Sequence, residues 1–270
     1  MPPNKKITSA VNVRVKSVLA LRERKEREET GLMIVEGVRE IARARTAGIV
    51  FKEIYLCPDF LSKDDGEKLI REIGPENVIT FETTREVFKK ISFGEREEGA
   101  LAVCRQPKWA LSDLKLSKNP FLVIVESVEK PGNLGAILRT CDGAGADGLI
   151  LSDRLTDCFN PNVVRASLGT VFSVKVVESS NERALQFLKE NGIKAWAASP
   201  EAKNIYTRVG WHMPLAIVLG NEQKGLSDFW MRNCDFIVKI PMRGLADSLN
   251  VSSTAAILIY EALRQRSLKT

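Results

Sequence analysis

The 270-residue chain is 44% hydrophobic and 27% charged, an ordinary balance for a globular protein that can bury one or two cores. No apolar run reaches membrane-spanning length, and the N-terminal Met1-Pro-Pro-Asn-Lys-Lys lacks the apolar core of a secretory signal, which points to the cytosol. Five scattered cysteines (Cys57, Cys104, Cys141, Cys158, Cys234) without a C-x-x-C argue against disulfides and zinc, and the single histidine, His212, argues against a Ser-His-Asp triad. The net charge of +6 favours polyanionic partners, and residues 1–30 alone contribute +4 of it.

Val11 to Arg27 reads as one amphipathic helix with Val11, Val15, Val18 and Leu19 on one face. Its basic residues fit two readings equally, a solvated face laced with Glu/Lys/Arg pairs and an arm that touches phosphates. Leu32–Val35 reads as a strand, Val38–Ala47 as a helix closed by Gly48, and Ile54–Leu56 as a strand. Ser62–Ile73 and Thr84–Ile91 read as helices around a strand at Val78–Phe81, and Ala100–Cys104 as a further strand. This alternation predicts a small α/β unit over residues 31–105, preceded by a basic arm over 1–30. The stretch 106–118 lacks periodicity, contains Pro107 with Pro120 just beyond it, and reads as a linker.

A second α/β domain then occupies residues 119–270. Phe121–Glu126 is a near-continuous apolar run, the pattern of a strand covered on both faces. A helix from Asn133 to Gly143 and strands at Gly148–Leu151, Val171–Val177, Lys194–Ala198, Leu215–Leu219 and Phe236–Ile240 follow. Helices are expected at Glu182–Asn191, Ser227–Arg232 and Ser252–Arg266.

Four loops of this domain are candidates for chemistry. Pro131-Gly-Asn-Leu-Gly-Ala-Ile-Leu-Arg139 joins a strand to a helix, where free N–H groups and glycine geometry suit an anion. Neither G-x-G-x-x-G nor a P-loop is present, and Arg139 alone reads as a surface or ion-pair residue. In Asn160-Pro-Asn-Val-Val-Arg-Ala-Ser167, Arg165 and Ser167 fit either phosphate binding or a capped helix start. Leu219-Gly-Asn-Glu-Gln-Lys-Gly-Leu-Ser227 and Ile240-Pro-Met-Arg-Gly-Leu-Ala-Asp-Ser-Leu-Asn-Val-Ser-Ser253 each follow a buried strand. Ligands of open α/β sheets bind at such carboxyl ends. Ile240, Met242, Leu245, Leu249 and Val251 offer an apolar slot for a flat ring, and Glu222, Ser248 and Asn250 offer polar groups to a substrate.

These loops, in this order, resemble the three motifs of SpoU/TrmH-type RNA ribose 2′-O-methyltransferases of the SPOUT superfamily. The segments are Glu126–Arg139, Ile217–Ser227 with L-G-N-E-x-x-G-L-S, and Ile240–Thr254 with I-P-M and S-L-N-V-S; Arg165–Phe172 also fits. The resemblance is tight over about 119–266 and looser over 30–105, which is similar to the small RNA substrate-binding domain that many members carry. It implies a deep trefoil knot in the C-terminal domain and S-adenosylmethionine held in the knot loops; no metal is expected, from the scattered cysteines and the single histidine. It also implies a homodimer in which the partner supplies an arginine to the site. By matching position, Leu219, Gly220, Asn221, Glu222, Gly225, Ile240, Met242, Leu249 and Ser253 would hold the cofactor. Asn133, Arg139, Glu222, Ser248 and Asn250 would line the catalytic centre, and Arg14, Lys16, Arg22, Arg165 and Ser167 would meet RNA. The expected reaction is methyl transfer to a ribose 2′-oxygen of ribosomal RNA, with transfer RNA methylation or a non-catalytic RNA-binding assembly factor as alternatives.

Overall fold

The computed structural model describes residues 5–74, 78–93, 97–221 and 223–267. The chain divides into two compact units: Met1–Pro107 with Phe159–Ser173, and Lys108–Cys158 with Val174–Thr270.

The first unit is a five-stranded mixed sheet. Its strands are β1 (Lys5–Ile7), β2 (Leu32–Glu36), β3 (Phe51–Leu56), β4 (Ile79–Thr83) and β5 (Ala100–Arg105). They lie in the order β1-β4-β3-β5-β2, with β5 antiparallel to both of its neighbours. The three-residue edge strand Lys5–Ile7 has too little pattern to be seen in sequence. Helices α3 (Val38–Thr46), α4 (Lys63–Ile73) and α5 (Arg85–Ile91) connect the strands. Ser62 and Thr84 cap the latter two by accepting from Asp65 N–H and Val87 N–H.

The single helix expected over Val11–Arg27 is two: α1 (Val13–Ala20) and α2 (Arg24–Thr30). Asn12 accepts from Arg14 N–H and so starts α1 two residues late, which leaves Val11 71% exposed while Val15 and Val18 are buried as expected. The break after Ala20 is held by Arg27, whose buried guanidinium donates to the carbonyls of Leu21 (2.8 Å) and Arg22 (2.7 Å). A charge that looked solvent-facing thus satisfies the backbone of an interrupted helix.

The second unit is an all-parallel seven-stranded sheet. It contains β6 (Phe121–Glu126), β7 (Gly148–Ser152), β8 (Val176–Ser179), β9 (Lys194–Ala198), β10 (Asn204–Ile205), β11 (Leu215–Leu219) and β12 (Phe236–Lys239). The order is β10-β12-β9-β11-β6-β7-β8. Every residue of β6, β7 and β11 is buried, which is why they read as unbroken apolar runs. Helix α6 (Pro131–Ala144) starts with Pro131 at its first position and ends at Gly145, whose φ of 67° is left-handed. Helix α7 is Pro161–Ala166; α8 (Asn181–Glu190), α9 (Asp228–Asn233) and α10 (Val251–Ser267) complete the set, with α10 packed along α6.

Two further expectations are corrected. The stretch expected as a strand over Val171–Val177 begins as a 3-10 turn at Thr170–Phe172, and only Val176–Ser179 is extended. Gly169 at φ 82° and the Thr170 hydroxyl donating to Ser167 carbonyl (2.8 Å) curl the chain there, and residues 159–173 pack with the first unit. Residues 106–118 are not a bare linker: Leu114 is buried, with Trp109, Leu111 and Leu116 packed on the second unit's core.

Candidate active site

A cleft of about 270 Å³ opens at the carboxyl ends of β9, β11 and β12. It is near the lower end of small-ligand sites, roughly 300–1,000 Å³. The loop after β11 lines it with Leu219, Gly220, Asn221 and Gly225, and the loop after β12 with Ile240, Met242, Ser248 and Leu249. Both loops therefore meet in one place, as neighbouring strand ends require.

The first loop is tightly folded. Asn221 and Gly225 exchange two backbone hydrogen bonds (2.9 and 3.0 Å), while the Asn221 side chain accepts from Gln223 N–H and Lys224 N–H. A Cβ on Gly220 would stand 2.3 Å from the Gly225 carbonyl group, so only glycine allows this closure.

The catalytic candidates lie on α6, on the second loop and at the start of α10. Asn133 is buried in the first turn of α6, and its Oδ1 accepts from Asn250 Nδ2 at 3.1 Å. Asn250 in turn caps α10: its Oδ1 accepts from Ser252 N–H (2.8 Å) and Ser252 hydroxyl (2.7 Å), and its carbonyl from Thr254 N–H. Leu249 and Val251, on either side of Asn250, both line the cleft. Arg139 is exposed on α6, away from the cleft lining, with no hydrogen bond or ion pair among the described residues. Glu222, expected in both the catalytic and the cofactor sets, lies outside the described residues.

Two positions depart from expectation. Ser253 is exposed and does not line the cleft; Val251 and Thr254, on the inward face of the same turn of α10, do. Leu245 points wholly into solvent instead of joining the apolar slot, because the loop arches away between Met242 and Asp247. The other slot residues, Ile240, Met242, Leu249 and Val251, do come together.

In the first unit the proposed RNA contacts are mostly engaged internally. Arg14 is ion-paired to Glu53 and lies over the Phe81 ring, 5.0 Å from its centre. Arg22 donates to the carbonyls of Lys90 and Ser92 (both 2.8 Å), and Arg165 to the carbonyl of Phe93 (3.2 Å). Ser167 is fully buried, with its hydroxyl on the carbonyl of Val164 (2.9 Å), so it cannot reach a phosphate. Lys16 alone of the five is exposed with no side-chain partner among the described residues.

Residues 120–260 match the model of the SpoU rRNA methylase family. The chain belongs to this family. Residues 12–102 match the MRM3-like substrate binding domain. A solved RNA 2′-O ribose methyltransferase superposes with a TM-score of 0.84 at 35% identity, covering 97% of this chain and 99% of that one. An AdoMet-bound rRNA methyltransferase from Sinorhizobium meliloti superposes with a TM-score of 0.88 at 28% identity, covering 96% and 97%. Among curated proteins, the 23S rRNA (guanosine(2553)-2′-O)-methyltransferase RlmP of Bacillus subtilis (strain 168) is 29% identical over 256 residues, 95% of this chain and 98% of its own length. This SpoU protein is accordingly an S-adenosylmethionine-dependent RNA 2′-O-methyltransferase.

The SpoU cleft suits that cofactor chemically. Leu219, Leu226, Val238, Ile240, Met242, Leu249 and Val251 present apolar surface for a flat base, and the Gly220–Gly225 closure brings bare backbone to its edge. Sequence reasoning missed Ala198, Ser199 and Pro200, which form the third side of the cleft. Their signal was topological: β9 lies between β11 and β12, so its carboxyl end must border the same space. Lys224 and Asp247 are two further lining residues that the motif left unassigned. Among the described residues, no group of three or more His, Cys, Asp or Glu side chains is arranged to hold a metal ion, and no helix is long and apolar enough to cross a membrane.

Proposed function

We propose that this protein methylates a ribose 2′-oxygen in ribosomal RNA, with the cofactor in the cleft at β9, β11 and β12 and the acceptor nucleotide beside Asn133 and Asn250. The observation that carries this placement is the Asn250–Asn133 hydrogen bond, which joins the start of α6 to the cleft wall. When bound, S-adenosylmethionine supplies the methyl group on its sulfonium. The chain's own work is alignment: two asparagine amides, one capping α10 and one in the first turn of α6, beside two loops that line the cofactor cleft. Arg139 acts electrostatically, holding a phosphate and negative charge developing on the attacking oxygen, because a guanidinium does not serve as a base. Ser248 lines the cleft wall and is assigned to the same centre.

Two finer features belong to the reading. The loop from Ile240 to Asn250 and α10 are taken as the threaded part of a trefoil knot, supported by the likeness to the solved SpoU structures. A homodimer completes the site with a partner arginine, supported by the exposed Arg139, which has no partner among the described residues, and by the exposure of Leu245 and Tyr260. The ribosomal address is supported by the substrate-binding-domain match and by RlmP's own substrate, and a cytoplasmic enzyme fits that address. Mapping 2′-O-methyl groups in RNA from cells with and without the gene tests it: a missing ribosomal site is expected, and a missing transfer RNA site with ribosomal RNA unchanged would overturn it.

A further inference from the structure

The last residue of β6, Glu126, is 4% exposed, and no cation lies against it among the described residues. Its carboxylate instead accepts three hydrogen bonds. Oε1 receives the Ser227 hydroxyl (2.6 Å) and Asn181 Nδ2 (2.7 Å), and Oε2 receives the Ser227 N–H (2.8 Å). Asn181, the first residue of α8, also donates to Asp153 (2.6 Å) and accepts from the buried Trp230 indole (2.6 Å). Burying a carboxylate without a counter-ion is costly, so these donors must be held with good geometry.

Ser227 closes the loop that begins at Leu219, seven of whose residues line the cleft. The other end of that loop is tied to the same place. Asn221 Nδ2 donates to the carbonyl of Ser127 (2.9 Å) and to Glu129 (3.0 Å). Ser127 is held at φ 51°, a left-handed conformation unfavourable for serine, with its hydroxyl on the carbonyl of Asp153 (2.9 Å). The turn after β6 therefore grips both ends of the cleft loop, one through Glu126 and one through Ser127.

We propose that Glu126 is a positioning residue for cofactor capture: its carboxylate pins Ser227 and thereby pre-shapes the loop Leu219–Ser227 before S-adenosylmethionine arrives. The proposal rests on the reading of this cleft as the cofactor site. A glutamine keeps the shape of Glu126 but has one acceptor oxygen for three donors, so the Ser227 side or the Asn181 side goes unmatched. Loop ordering that the wild type completes on folding then falls on binding.

The test uses full-length protein, calorimetric titration with S-adenosylmethionine, and initial rates with RNA. Glu126→Gln should raise the cofactor Kd and KM about tenfold while kcat at saturating cofactor stays within about twofold. Ser227→Ala should raise Kd less, Ser227→Thr should keep it near wild type, and Glu126→Gln with Ser227→Ala should be less than additive. Leu188→Ala, which loosens the same core outside the Glu126–Asn181–Ser227 hydrogen bonds, serves as the stability-matched comparison and should leave Kd unchanged. An unchanged Kd in Glu126→Gln overturns the proposal, as does an equal rise in Leu188→Ala at the same melting temperature. Gly220→Val separates the underlying reading: it should abolish cofactor binding, and if it binds normally the cleft itself is misassigned.

Discussion

Asn250 and Asn133 are 117 residues apart in sequence, yet the amide of one donates to the amide of the other at 3.1 Å. Asn250 simultaneously caps α10, so the orientation of an amide proposed for the catalytic centre is set by the start of the helix that follows the cleft. Replacing Asn250 by alanine should lower stability by about 1 kcal/mol, the typical worth of such a cap. It should also cut methyl transfer by more than that loss explains. Asn133→Ala leaves the cap in place and should spare the melting temperature better while cutting kcat similarly. The double variant should be no slower than the worse single one; full additivity in rate assays would show that the pair does not act together.

Arg139 tests the electrostatic assignment. It is exposed on α6 and has no partner among the described residues, so Arg139→Ala should change stability by less than about 0.5 kcal/mol. Methyl transfer should nonetheless be abolished, with cofactor affinity nearly unchanged. Calorimetric titration with S-adenosylmethionine alongside labelled methyl transfer checks both halves, and lost cofactor binding would refute the assignment.

The sheet core of the second unit was legible in sequence because β6, β7 and β11 are buried on both faces and so carry no alternation. Helix α6 was legible as a helix, but its expected bounds, Asn133–Gly143, fell inside the observed Pro131–Ala144, whose ends are marked by Pro131 at the first position and the left-handed Gly145. What escaped depends on distant contacts. Arg27 looks like a surface charge until the break in the helix supplies carbonyls for it, and Val11 looks like core until Asn12 caps the helix ahead of it. Ala198–Pro200 carry no chemistry of their own and enter the cleft only through strand order. The Leu219–Ser227 loop stood out for its glycines, but the carboxylate that anchors it sits about a hundred residues earlier, as Glu126.

The cysteines give a pH prediction. Cys57, Cys104, Cys141 and Cys158 are buried, and burial pushes each thiol above its ordinary value; Cys234, half-buried, is pushed up to about 12. At pH 8 the native protein should react slowly with a disulfide reagent such as DTNB, and all five thiols rapidly once unfolded, where they titrate near about 8.5. Because the native state holds these protons more tightly, stability is complete below about pH 8.5 and declines as pH rises from there toward the native values. Urea midpoints measured from pH 7 to pH 10.5 should fall, and replacing Cys234 by alanine should flatten that decline. An equally steep fall in the Cys234→Ala protein would remove this thiol from the account.

In the first unit, Lys16 and Arg22 separate surface contact from internal structure. Lys16 is exposed with no side-chain partner among the described residues, whereas Arg22 holds the carbonyls of Lys90 and Ser92 and lies over Phe93. Lys16→Glu should therefore leave the melting temperature unchanged and weaken RNA binding. If one phosphate contact is lost, the slope of log affinity against log salt should become shallower by about 0.7–0.9. Arg22→Ala strips partners from two carbonyls, one exposed and one part-buried, and should destabilise by about 0.5–1.5 kcal/mol. Its effect on RNA should appear only as far as unfolding lowers the active fraction, so the salt slope should match wild type. A shallower slope in Arg22→Ala, with stability intact, would instead make Arg22 a phosphate contact and the two carbonyls incidental.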